Sequence, residues 1–373
     1  VSIAIFHDNM AQMGGAERVT EVLTRTLPGA ALHTTLAAPW KLSDGLRALD
    51  IKTTWMRHLP APDRLYRHYF LLYPLAIESV NLSAYDLVLS CCFGYAKGVR
   101  TRPDAVHVCY CHTPMRWVWR YADYVAREDL GALRSRLLPW LIEPLRRWDL
   151  HAATRPDYFI ANSANVAARI RAIYGRSSVV IPPPIELSRF RRASGPHDFY
   201  LVVARLVAYK RIDLAIAACH QLKRRLVVIG DGPDRARLEA LAGPTVTFLG
   251  RQPDEVVTEH LGACRALLFP GEEDFGMAPL EANASGRPVV AWRGGGALDT
   301  MREHETGVFF SEPTVDAMAD AIERLEAITW DPVAMRAHAA TFDRPVFEDR
   351  IRGFLRSVAP TRQTERTLAA LNA

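Results

Sequence analysis

Long apolar runs are missing from this sequence. None of its 373 residues falls in a stretch approaching the about 18–20 uninterrupted apolar positions of a membrane-crossing helix, so no transmembrane segment is expected. Cysteine is scarce too: there are six, Cys91, Cys92, Cys109, Cys111, Cys219 and Cys264, with no C-x-x-C pair. That spacing argues against a zinc module or a dithiol redox motif, and the thiols are expected to be reduced and packed. An excess of one charge is also lacking. A formal net charge of +5 permits weak attraction to nucleotides or anionic lipid without demanding a nucleic-acid partner. The chain opens directly on a strand-like VSIAIFHD, with no basic leader, apolar core and cleavage site in sequence. The expected location is therefore the cytosolic side of a cell. There is no fixed-period repeat, no low-complexity tract, no G-x-G-x-x-G dinucleotide fingerprint and no evident D-x-D site for a divalent cation.

What is present is an alternation of short apolar runs with helix-like segments, the pattern of stacked βα units and parallel sheets. In the first half the strand candidates are Ile3–His7, Ala31–Leu36, Leu87–Ser90, Ala105–Tyr110, Tyr158–Ala161 and Val179–Ile181. Pro182-Pro183-Pro184 then interrupts, followed by a charged stretch to His197 with Arg189, Arg191 and Arg192. Three prolines in a row continue neither a strand nor a helix, so the domain boundary is placed there. The second half restarts with Phe199–Ala204, Leu226–Ile229, Val246–Leu249, Ala266–Phe269 and Val289–Trp292. This length suits two domains of about 150–200 residues each.

Chemistry concentrates in four places. The strand-like RALLFP (Arg265–Pro270) runs into GEEDFGMAPLEANASG (Gly271–Gly286), with Glu273 and Glu281 eight positions apart. Pro279 fits the first turn of a helix starting near Met277, where its missing N–H costs nothing. The free amides and dipole of that helix end favour an anion such as a diphosphate, and a carboxylate beside it suits sugar hydroxyls. In ARLVAYKR (Ala204–Arg211), Arg205 and Lys210 follow a strand, a forked and a compact cation for the same anion. IGDGPDRARLEAL (Ile229–Leu241) supplies a glycine turn for which two readings stand, tight-turn geometry and ligand contact. In the first half, FHDNMAQMGGAERV (Phe6–Val19) carries Gly14-Gly15, and VCYCHTPMRWVWRYADY (Val108–Tyr124) puts His112 just past a strand. Cys109, Cys111 and His112 cannot all face one metal ion, because side chains alternate along a strand.

Together these segments resemble the retaining GT-B glycosyltransferases, whose motif is E-x7-E, and specifically glycosyltransferase family 4. The His-Thr-Pro-Met-Arg run resembles bacterial GDP-mannose-dependent mannosyltransferases of surface-polysaccharide assembly, and the likeness extends from GGAERV to GGGALDTM (Gly294–Met301). It implies an α/β protein of GT-B fold, two doubly wound Rossmann-like domains facing across a cleft. Residues 1–184 would form the acceptor-binding domain, 185–197 a linker, 198–345 the donor-nucleotide domain, and 346–373 a helical segment crossing back to the first domain. It implies a catalytic set of His112, Glu273, Arg205 and Lys210, and donor contacts from Gly15, Phe275, Gly276, Met277, Ala278 and Glu281. The activity implied is retaining transfer of mannose from GDP-mannose to a polyprenyl-diphosphate-linked oligosaccharide, with no cofactor and no metal. Arg205, Lys210 and the helix start would neutralise the leaving diphosphate, whose oxygen takes the acceptor proton; Glu273 as a covalent nucleophile is the less favoured route. Asp274 stands where the family usually has glycine and Ala278 where proline is common, which loosens the assignment of the donor. UDP-glucose or another nucleotide sugar is the alternative donor. An epimerase or a non-catalytic nucleotide-sugar binding protein is the alternative of another class.

A lipid-linked acceptor implies contact with the cytoplasmic face of a membrane. Half of the eight tryptophans lie between Trp117 and Trp148, and LRSRLLPWLIEPLRRWDL (Leu133–Leu150) mixes Trp140 and Trp148 with Arg134, Arg136, Arg146 and Arg147. RLYRHYFLLYPL (Arg64–Leu75) has a similar mixture. Aromatic rings among guanidinium groups suit a helix lying at a lipid surface, and they equally suit a core face with solvated arginines.

Overall fold

The computed structural model of the chain describes residues 2–120, 131–191 and 198–358, with 131–139 given by backbone alone. The chain divides into two compact units, Val1–Pro182 with Phe347–Ala373, and Pro183–Val346. Each is built on one parallel sheet, and short runs that are apolar on both faces are what such sheets require.

The first sheet comprises β1 (Ile3–His7), β2 (Ala31–Thr34), β3 (Ile51–Thr53), β4 (Leu87–Cys92), β5 (Val106–Cys111), β6 (Tyr158–Ala161) and β7 (Val179–Val180). Their order is β3-β2-β1-β4-β5-β6-β7. Every residue of β1, β4 and β5 is buried. Ala4 and Phe6 enter the apolar cluster on one face, Ile3 and Ile5 the cluster on the other. The second sheet comprises β8 (Phe199–Val203), β9 (Arg225–Ile229), β10 (Val246–Gly250), β11 (Leu267–Phe269), β12 (Val289–Trp292) and β13 (Gly307–Phe310), in the order β10-β9-β8-β11-β12-β13.

Both sheets start in the middle and reverse direction there. β1 pairs with β2 and β4, and β8 pairs with β9 and β11. Loops leaving the carboxyl ends of strands beside such a reversal splay apart, and ligands of doubly wound sheets bind in the crevice between them. In the first unit the reversal falls between the loop after His7 and the loop after Cys92. In the second it falls between the loop after Val203 and the loop after Phe269.

Two strands, β3 and β13, were not foreseen from the sequence. β3 is three residues at a sheet edge with Lys52 exposed, too short and polar to stand out, and β13 begins on Gly307. β4 and β5 each run further toward the site than expected, to Cys92 and Cys111, whereas β2 stops at Thr34. The helix Arg344–Val358 buries Phe347, Ile351 and Leu355, spaced four apart, in the core of the first unit, where Phe347 meets the Tyr110 ring edge-on. Residues 192–197, with Arg192 and the end of the expected linker, and 359–373 of the expected C-terminal segment lie outside the described residues.

Candidate functional site

In the second unit the basic loop is held against its neighbours by backbone bonds. Ala204 N–H donates to Ile229 O (3.1 Å), Leu206 N–H to Asp231 O (3.0 Å), and Asp234 N–H to Leu206 O (3.1 Å). The IGDG turn is thus stitched along the segment that follows β8, a packing role that accounts for its geometry. Leu206 is fully buried and anchors the loop, leaving Arg205 exposed and Lys210 half-buried. The Lys210 ammonium lies over the Tyr209 ring and is paired directly with the Glu273 carboxylate. The structure therefore joins two of the residues singled out from sequence, one after β8 and one after β11.

The loop carrying Glu273 is fixed by the glycine run after β12. Gly296 N–H donates to Glu273 O at 2.8 Å. A Cβ on Gly296 would come within 2.2 Å of Phe275 Cα, so only glycine allows this approach. Phe275 is buried and its ring packs near Phe342. Gly276 takes φ 86°, the left-handed region that glycine adopts without strain, and caps the helix Met277–Ala284. As the N-cap, Gly276 brings no side chain of its own to the first amides of this helix, which start just past the carboxyl end of β11. Met277, Ala278 and Glu281 occupy its first turns, all half-buried.

In the first unit, Gly15 opens the helix Gly15–Thr26 with Gly14 at its N-cap. His112 follows β5 directly. Its N–H donates to Cys92 O (2.7 Å), and its carbonyl accepts from Asn162 Nδ2 (2.9 Å). The side chain is 9% exposed, and its Nε2 is buried with no hydrogen-bond partner. Burial, with the charge of His7 adding to it, pushes the imidazole down to about 3. His112 is therefore neutral near pH 7, suited to exchanging one hydrogen bond with a ligand hydroxyl rather than to donating a proton as an acid.

The sequence reading missed a set of buried charges in this unit. Asp8, just past β1, accepts the N–H groups of Phe93 (2.6 Å), Tyr95 (2.7 Å) and Ala96, all in the segment after β4. Lys97 and Asp149 form an ion pair with both side chains at 0% exposure. Lys97 also donates to Gly94 O (2.6 Å), while Asp149 accepts from Trp119 Nε1 (2.7 Å) and Tyr174 OH (2.8 Å). Burial opposes the ammonium, yet Asp149 holds Lys97 well above its ordinary range. The signal in the sequence was slight: a lysine inside the otherwise apolar CCFGYAKGV.

The tryptophans divide by role. Trp148 donates to Glu78 (2.8 Å), Trp119 to Asp149, and Trp117 packs edge-on against Phe70. Arg146 is tied down through Nε to Val118 O (3.2 Å) and lies over the Trp119 ring. Trp140, at 81% exposure, stands out in solvent with Leu141 and Arg147 on the helix Gly131–Ala152, and Leu71 and Leu75 are exposed elsewhere in the unit. The side chains of Arg134 and Arg136 lie outside the described residues. Among the described residues no helix is long and apolar enough to cross a membrane, and no group of three or more His, Cys, Asp or Glu is placed to hold a metal ion. The six cysteines are unpaired and buried, and burial pushes the thiols of Cys92, Cys109 and Cys111 up.

Comparison with known proteins agrees with this fold. A family model described as Glycosyltransferase Family 4 matches residues 13–189, and one described as Glycosyl transferases group 1 matches residues 185–341. A GDP-mannose-dependent alpha-(1-6)-phosphatidylinositol monomannoside mannosyltransferase of Mycobacterium tuberculosis is 28% identical over 233 residues, covering 54% of this chain and 60% of that protein. A D-inositol 3-phosphate glycosyltransferase of Nocardia farcinica is 30% identical over 267 residues, covering 60% of this chain and 58% of that protein. The chain thus spans about three fifths of the length of the curated relatives it matches. Among solved structures, Anabaena HepE in complex with UDP superposes with a TM-score of 0.71 at 17% identity, covering 96% of this chain and 100% of that one.

Proposed function

We propose a function for a chain that belongs to the glycosyltransferases, its first half a Family 4 domain and its second a group 1 domain: retaining transfer of a hexose from a nucleotide sugar to a hydroxyl. The observation that carries the reading is the Lys210–Glu273 pair, set beside the glycine-capped start of the helix Met277–Ala284 at the sheet reversal. A bound diphosphate takes the helix amides, Lys210 and Arg205. Lys210 then exchanges Glu273 for a phosphate oxygen, and the freed carboxylate accepts hydroxyls of the donor sugar. Glu281 serves the nucleotide ribose, while Phe275, Met277 and Ala278 line the donor. His112 and Gly15 are assigned to the sugar and the diphosphate respectively.

In the transfer, the bond from the anomeric carbon to the phosphate oxygen breaks and a bond to the acceptor oxygen forms on the same face. The acceptor proton passes to the departing phosphate oxygen. Fixed donors aimed at the charge that develops on that oxygen lower the barrier by a few kcal/mol each. Because the cations are supplied by side chains, turnover is expected without a divalent metal.

Mannose from GDP-mannose is the proposed donor, a choice supported by the His112 segment and by the mycobacterial relative's name. The proposed acceptor is a polyprenyl-diphosphate-linked oligosaccharide, approached at the cytoplasmic face of the membrane through Trp140, Leu141 and Arg147. Calorimetry and thermal shift with GDP, UDP, GDP-mannose and UDP-glucose test the donor. A ligand at 100 times its Kd stabilises the fold by about 2.7 kcal/mol. Stabilisation by GDP and GDP-mannose, with turnover unchanged by EDTA, is expected. Selective binding of UDP would replace the donor, a strict metal requirement would remove the side-chain-only mechanism, and silence from all four would remove the site. For the membrane face, Arg147→Glu with Trp140→Ala is expected to weaken sedimentation with anionic liposomes; unchanged sedimentation would assign the patch to solvent.

A further inference from the structure

The turn at Gly14-Gly15 is fastened from inside the protein by a group of side chains that have no part in the proposed function. The Glu17 carboxylate is 1% exposed, and its Oε2 accepts the Gly14 N–H at 3.0 Å. Its Oε1 lies 3.7 Å from His7 Nε2, on a ring with 0% exposure at the end of β1. At the opposite ring nitrogen, Nδ1 is 2.8 Å from Thr20 Oγ1. That hydroxyl is also placed to donate to Ala16 O at 3.1 Å, an arrangement in which Thr20 accepts from Nδ1.

The state of Nε2 follows from its surroundings. At 3.7 Å neither Nε2 nor Glu17 Oε1 completes a hydrogen bond, and a proton on Nε2 sets a positive charge beside the buried carboxylate oxygen. The charged and titratable groups around it are Glu17 on the first helix, Cys91 on β4, Asp8 next in the chain, and His112 after β5. Burial alone would lower His7; the neighbouring Cys91 and Glu17 side chains, with the Glu17 charge, overcome that and raise it to about 10.

We propose that Glu17 and His7 are positioning residues: the buried carboxylate, held by the imidazolium beneath it, locks the Gly14-Gly15 turn in the orientation that a nucleotide-sugar diphosphate requires. The inference rests on the proposed function for its consequence in catalysis, but not for the existence of the lock. Glu17→Gln keeps an acceptor for Gly14 N–H and removes the charge that holds His7 protonated. It is expected to fold, to lower kcat about tenfold with the donor KM little changed, and to move the alkaline limb of the kcat–pH profile down from near pH 10 toward neutrality. Deuterium exchange in the peptide around Gly14 is expected to quicken at the same time. Thr20→Val, which removes the acceptor for Nδ1, shifts the same limb by less and serves if Glu17→Gln does not fold. A folded Glu17→Gln protein with wild-type pH profile and wild-type exchange would overturn the proposal, as would a loss of rate that merely follows the loss of melting temperature. If the wild-type protein neither binds a nucleotide nor transfers sugar, the functional reading fails alone, and exchange at Gly14 still decides whether the lock exists.

Discussion

Lys210→Ala is expected to fold and melt within a few degrees of the wild type while losing about 10²–10³ in kcat, the cost of removing one well-aimed donor from a developing oxyanion. The separation of effects follows from where the residue sits. Lys210 and Glu273 are both partly exposed, and a pair of that kind adds little to stability. Its proposed work begins when the donor diphosphate arrives and the ammonium changes partner. Glu273→Ala is expected to be silent in stability and severe in rate for the matching reason, since the sugar hydroxyls lose their acceptor. Steady-state kinetics measured beside a melting curve separate the two effects. Normal turnover in either variant would withdraw the site from this end of the sheet.

Asp149→Asn tests the opposite kind of charge, one with no proposed contact to substrate and a large expected cost. The change leaves Lys97 charged with both side chains of the pair at 0% exposure. Breaking such a pair from one side costs about 3–5 kcal/mol, because the remaining ion stays buried without its counter-charge. Asparagine keeps only one of the two oxygens, so either Lys97 or the Trp119 and Tyr174 donors lose their acceptor in the same step. Urea titration should register the loss as a lowered midpoint, and a drop below about 1 kcal/mol would mean that water reaches Lys97. Replacing both partners with apolar residues of like volume is expected to recover most of the loss, since the doubly apolar core has no stranded charge.

The two changes also mark how far the sequence could be read. Strands such as IAIFH and LVLS announced themselves as short, largely apolar runs, because a parallel sheet buried on both faces selects for them. β3 escaped because an edge strand of three residues with an exposed lysine has no such signature. At the second unit's site, Gly276 and Pro279 marked the start of a helix, and the helix does begin at Met277. That Lys210 and Glu273 touch was beyond reach, since the contact depends on β8 and β11 being neighbours. The tryptophan-rich stretch misled in part. Spacing alone did not reveal that Trp119 and Trp148 have carboxylate partners in the fold, buried Asp149 and half-buried Glu78, whereas Trp140 has its ring in solvent. Asp8 and His7 were hidden differently: their place at the end of the first strand was legible, and only the three-dimensional register shows them enclosed.

The resting contact between Lys210 and Glu273 has a bearing on ligand choice. A cation and an anion held against each other are close to neutral as a pair, so the pair by itself offers little to a simple anion. Inorganic phosphate can satisfy the ammonium only by leaving the carboxylate without a partner. A nucleotide sugar brings an anion for one half of the pair and a hydroxyl for the other, so it alone compensates both. On the proposed function the pair acts as a filter, favouring ligands in which phosphate and sugar arrive on one molecule and turning away either half presented by itself.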